Sequence, residues 1–122
     1  MVHILSFTLL DEFKGAYLSL LEYYSKVSSL EKKIQKLAGY DINRLAEFYR
    51  WKLILESLIY ECSLIVKYAE ASNMIALTIG TCRVANNILN YIREFDNTPY
   101  LNEARHSLLA LLTISETLCK LS

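Results

Sequence analysis

Glu103-Ala104-Arg105-His106 is the stretch of this chain whose residue types and spacing most suggest chemistry. A glutamate and a histidine three residues apart on a helix share one face, the arrangement by which helical bundles hold paired iron ions. Such a centre takes the Glu-x-x-His pair twice, with further glutamates, all projecting inward. Here there are only two histidines, His3 and His106. The apolar seam around the motif runs through Ala104, Leu108 and Leu111. At about 100° per residue, His106 projects nearly opposite to it, beside Asn102, Thr113, Thr117 and Lys120. The pattern therefore predicts a solvated His106, a Glu103 placed favourably near a helix start, and no metal or other cofactor.

Acid–base catalysis by His106 would need a partner and a pocket, and its neighbour Arg105 points elsewhere on the helix. Small helical RNases of the HEPN type carry an arginine followed four to six residues later by a histidine. Neither Arg93 nor Arg105 is followed in that way, so that activity is not supported. The chain contains no G-x-S-x-G, P-loop or G-x-G-x-x-G sequence. No catalytic residue is nominated, and the reading is of a non-enzyme.

The elements that carry these residues read as all-α. The 122 residues suit one domain, 1–122, and a 53% hydrophobic content excludes disorder. Three glycines and one proline are too few for turn-rich β-structure. Thirteen basic and thirteen acidic residues balance, so no global charge recruits nucleic acid or anionic lipid. No apolar run reaches the roughly 18 residues needed to span a bilayer, and the start lacks the basic segment of a signal peptide. Cys62, Cys82 and Cys119 are far apart and odd in number, which predicts free, core-packed thiols in a reducing, cytoplasmic setting. Richness in Leu, Ile, Tyr, Lys and Glu hints at a thermophile or one of its viruses.

The expected architecture is an up-and-down four-helix bundle with a long, kinked first helix. That helix spans Ser6–Thr8 to Ala38, with Thr8-x-x-Asp11 as a capping box, a break near Ser25–Ser29 and Gly39 as its stop. The second runs from an Asp41 cap to Ala71, the third from Ser72–Asn73 to Phe95. The fourth starts at Thr98, with Pro99 in the first helical position. Tyrosine hydroxyls are expected to reach water at the seam edges. In the third helix, Gly80, Arg83, Asn87, Asn90 and Glu94 form a heptad-spaced stripe expected to be solvated; Ala76 and Gly80 also suit a close helix approach.

The second helix is apolar on two sides. Phe48, Trp51, Leu55, Leu58, Cys62, Ile65 and Ala69 form one stripe; Ile42, Ala46, Tyr49, Leu53, Tyr60 and Leu64 lie nearly opposite. A helix apolar on both sides must be covered on both. The second stripe is the expected protein interface, closed by a second copy, by another subunit, or by the kinked part of the first helix. Lys32, Lys33, Lys36 and Arg44 gather where the first two helices meet, with Tyr40 at the tip, and could contact phosphates and stack a base. The leading expectation is a helical interaction or assembly protein, a homodimer or small subunit. The alternative is a nucleic-acid-binding subunit using the basic end.

Overall fold

The computed structural model describes residues 2–38 and 41–121, with side chains from residue 8 onward except at 28, 30, 37 and 38. Five helices follow one another: α1 Val2–Ser25, α2 Val27–Ala38, α3 Ile42–Glu70, α4 Met74–Glu94 and α5 Pro99–Lys120. Among the described residues there is no strand, and no helix is long and apolar enough to cross a membrane.

The run expected to form one helix is thus two, parted at Lys26. There the main-chain bonds shorten to three-residue steps, Lys26 N to Tyr23 O at 2.9 Å and Ser29 N to Lys26 O at 3.1 Å. The start of α1 corrects another expectation. Val2 is already helical, so Thr8 lies inside the helix and is not its cap. The expected stop at Gly39 and the tip residue Tyr40 lie outside the described residues.

Local chemistry sets the other boundaries. Asp41 adopts an extended backbone and its carboxylate accepts from Asn43 N at 3.1 Å and Arg44 N at 3.3 Å, which opens α3. At the far end Ser72 takes a left-handed conformation, φ 55°. Its amide and that of Asn73 return to the carbonyls of Ala69 and Tyr68, the Schellman pattern, with serine where glycine is usual. Asn73 then caps α4 by accepting from Ala76 N at 3.2 Å. Thr98 holds the cap position before Pro99, but its hydroxyl turns back to donate to Phe95 O at 2.7 Å and makes no cap bond, contrary to the role its type suggested.

The apolar stripes place the core. Phe48, Trp51, Leu55, Leu58, Cys62 and Ile65 of α3 are all buried, facing Leu77, Val84, Ile88 and Tyr91 of α4 and Leu101, Ala104, Leu108 and Leu111 of α5. Phe13, Leu20 and Val27 close the same cluster from α1 and the start of α2. Each large side chain removed from water in this way is worth roughly 1.5–3 kcal/mol. α5 lies between α4 and α1, α3 packs on α4 and less extensively on α1, and α2 runs along α3.

One expectation about the core is reversed. Cys82 of α4 and Cys119 of α5 form a disulfide, with Cα atoms 5.0 Å apart across 37 positions of sequence. The antiparallel turn between the helices brings together what the sequence separates. Both cysteines are half-buried at the α4–α5 edge, whereas Cys62 is buried and free. Burial, then the nearby Glu61 carboxylate, push the Cys62 thiol up to about 12, so it stays protonated and inert at neutral pH.

Candidate functional site

Three places could carry function, and the helices treat them differently. Glu103 and His106 on α5 are both exposed. His106 borders a shallow groove between α1 and α5 with Glu12, Ser19 and Ser107. The two serine hydroxyls are 2.8 Å apart and hydrogen-bond to each other across the helices. Among the described residues no group of three His, Cys, Asp or Glu is placed to hold a metal ion.

At the basic end, Ile34 packs on the core and fixes the orientation of α2. Glu31 and Gln35 share that inner side: the Tyr49 hydroxyl donates to Glu31 at 2.9 Å and accepts from Gln35 at 3.1 Å. Lys52 adds an ion pair to Glu31 at 3.4 Å. Lys32, Lys33 and Lys36 are consequently turned outward and exposed, and no ion pair holds any of them among the described residues. Arg44 is exposed as well and pairs with Asp41 at 3.6 Å. An exposed pair of this kind contributes little to stability. Tyr40, proposed to stack a base, falls outside the described residues.

The third place is the outer face of α3 with the adjoining part of α4. Leu53 is 66% exposed and Tyr60 63%, while Tyr49 is only at the edge of exposure because α2 engages it. Leu64 is half-buried at the rim of a groove whose other wall is Ala76, Ile79 and Gly80 of α4. Two isoleucines of α4, Ile75 at 76% and Ile79 at 55%, extend the same apolar surface, and Ile42 at the start of α3 is 77% exposed. Ile42 belongs to the stripe read from sequence, whereas Ile75 and Ile79 were not nominated for an interface. The usable signal was their four-residue spacing on the side of α4 away from Leu77 and Val84.

The polar stripe of α4 is solvated in part: Arg83, Asn90 and Glu94 are exposed, whereas Gly80 and Asn87 are half-buried. Gly80 abuts α3: a Cβ there would meet Ile65 Cγ1 at 3.2 Å and Tyr68 at 3.7 Å. Asn87 donates to both carboxylate oxygens of Glu61, at 3.2 and 3.0 Å, and Glu94 pairs with Arg50 at 2.5 Å. The stripe is therefore the edge by which α4 grips α3. Asn87 and Glu94 are thus engaged by the neighbouring helix, while Arg83 and Asn90 stay exposed.

Four tyrosines are likewise occupied by hydrogen bonds; Tyr91 and Tyr100 are buried, contrary to expectation, while Tyr23 and Tyr24 lie half-buried at the seam edge. Tyr91 donates to Trp51 O at 2.8 Å, Tyr23 to Tyr100 O at 2.9 Å, and Tyr100 to Glu47. Tyr24 donates to Glu56 at 2.5 Å. That hydrogen bond, then burial, push its phenol up to about 12. Burial first raises Tyr23, Tyr91 and Tyr100 as well, with smaller contributions from Glu103 at Tyr23 and from the Glu47 bond at Tyr100. These groups are structural donors, held protonated. The chain matches no known protein family, no curated protein and no solved structure.

Proposed function

We propose that this chain is a non-enzymatic helical interaction protein, an up-and-down four-helix bundle with a broken first helix, that presents the outer face of α3 to a protein partner. The partner favoured by the reading is a second copy, with another subunit of an assembly as the alternative protein partner. The observation that supports it most is the exposure of Leu53 and Tyr60 on one helix, continued by Ile75 and Ile79 on the next. Soluble monomers rarely leave so contiguous an apolar surface to water. The cytoplasmic location expected from sequence belongs to the same proposal, and it is compatible with the Cys82–Cys119 bond in the manner of intracellular proteins of hyperthermophiles.

Light scattering tests the reading directly. The wild-type chain should run as a dimer at high micromolar concentration, and Leu53→Lys should give a helical monomer with little loss of stability. A wild-type monomer under those conditions would remove self-association from the proposal.

A second reading has one observation in its favour. Lys32, Lys33 and Lys36 are exposed and outside any ion pair among the described residues, so a phosphate backbone would meet them without first breaking intramolecular pairs.

A further inference from the structure

The spacing of the outer stripe of α3 reads the same from both ends. Tyr49, Leu53, Tyr60 and Leu64 are separated by four, seven and four residues, so the pattern is symmetric about the peptide bond between Glu56 and Ser57. Laid antiparallel on a second copy with that point on a two-fold axis, Leu53 meets Tyr60 and Tyr49 meets Leu64, each contact occurring twice. A large ring always faces a smaller branched chain, and no residue of the stripe faces its own copy. A parallel pairing would instead set Tyr60 on Tyr60 and Leu53 on Leu53. We infer that two copies associate through antiparallel α3 helices about an axis at Glu56–Ser57. This rests on the self-association proposed above and specifies its geometry.

The exposed isoleucines fit this register and no part of it was built from them. Ile42 and Ala71 are equidistant from the axis, so Ile42 of one copy lies at the α3–α4 corner of the other. Ile75 is four residues beyond Ala71, at that same corner, and Ile79 shares the groove of Leu64 and Tyr68. The most exposed large apolar side chains, Ile42 and Ile75, thereby cover each other. The register brings one pair of opposite charges close and one pair of like charges together at the axis. Arg50 of one copy and Glu61 of the second copy lie on the α4 side of the seam, about two residues or 3 Å out of level along the axis. The Glu56 carboxylates approach each other beside the axis, and each already accepts the Tyr24 hydroxyl.

The area is sufficient. α3 has 29 residues, about 44 Å of helix at 1.5 Å each. With α4 alongside at about 9 Å, the face is on the order of the 800 Å² per partner that stable dimers bury.

Oxidative cross-linking of variants with one added cysteine reads the register. The native cysteines do not interfere, since Cys82 and Cys119 are joined and Cys62 is buried. Ser57 is exposed and nearly on the axis, so Ser57→Cys chains should join into covalent dimers. Ala46 is exposed on the same stripe but about 30 Å along the axis from its own copy. Ala46→Cys chains should stay single, while a mixture of Ala46→Cys and Lys67→Cys chains should form the mixed dimer. A dimer by light scattering in which Ser57→Cys fails to join, or in which Ala46→Cys joins to itself, overturns the antiparallel register and leaves self-association standing. Should Ser57→Cys not fold, the mixed pair decides alone. A wild-type monomer defeats both.

Discussion

The hydroxyl of Tyr91 on α4 donates to the main-chain carbonyl of Trp51 on α3 at 2.8 Å, inside the core. Trp51 is fully buried and stacks on Phe48 with ring centroids 5.7 Å apart, while Tyr100 of α5 meets it at 5.0 Å. One bond thus fixes the rotation of α4 against the aromatic cluster that joins α3 to α5. Tyr91→Phe keeps the ring and removes the donor. The Trp51 carbonyl lies within α3 and retains its helical acceptor role, so the loss should be modest, about 1 kcal/mol. Urea unfolding at unchanged m-value is the measurement. A loss above about 3 kcal/mol would mean that the hydroxyl holds more than this carbonyl.

The Cys82–Cys119 bond makes a second prediction. Closing a loop of 37 positions restricts the unfolded chain, which by the chain-entropy account is worth about 2–4 kcal/mol. Reduction, or Cys82→Ser, should lower the unfolding free energy by that amount while leaving the helices formed. Thiol counting on the unfolded, unreduced chain should find Cys62 alone. Three reactive thiols would show that the bond does not form.

Why this bond was not read from the sequence is instructive beside what was. The stripe from Phe48 to Ile65 could be placed residue by residue because helical period and apolar type coincide, and every member is buried. Disulfide pairing has no such period. It depends on which turn of α5 falls beside Cys82, and that is set by packing between helices. The stripe from Gly80 to Glu94 was legible only in part, for a related reason: Arg83 and Asn90 are exposed as their type suggests. Polar type suggested water, yet Asn87 and Glu94 find Glu61 and Arg50 on α3, partners visible only once the two helices are side by side. At the candidate interface the Leu53 and Tyr60 positions followed from period alone, whereas the engagement of Tyr49 by Glu31 and Gln35 required knowing where α2 turns.

Ser72 offers a stabilising substitution. Its φ of 55° is the left-handed conformation required at the end of a Schellman turn, where a Cβ is strained and glycine is not. For an L-residue that conformation costs roughly 1–2 kcal/mol, partly offset by the greater freedom glycine has when unfolded. Ser72→Gly should therefore stabilise the chain by about 0.5–1 kcal/mol, read as a higher urea midpoint. Ser72→Val should do the opposite. Destabilisation by Ser72→Gly would argue against the left-handed turn between α3 and α4.

The basic end is tested by salt. If Lys32, Lys33, Lys36 and Arg44 contact a nucleic-acid backbone, each neutralised phosphate releases counterions. The logarithm of affinity then falls with the logarithm of salt by about 0.7–0.9 per contact. Charge reversal of Lys32, Lys33 and Lys36 together removes up to three such contacts. It should abolish binding to single-stranded or duplex oligonucleotides at moderate salt, and restoring one lysine at a time should steepen the salt dependence by one increment each. Folding offers a clean control, because the three side chains are exposed and sit on the side of α2 away from Ile34. The triple variant should keep wild-type helicity and urea midpoint to within the small changes usual for surface substitutions. Equal binding by wild type and variant, or a salt dependence that does not change, would exclude this patch. The dimer measurements on α3 are independent of that result, since none of the three lysines lies on the Leu53–Tyr60 stripe.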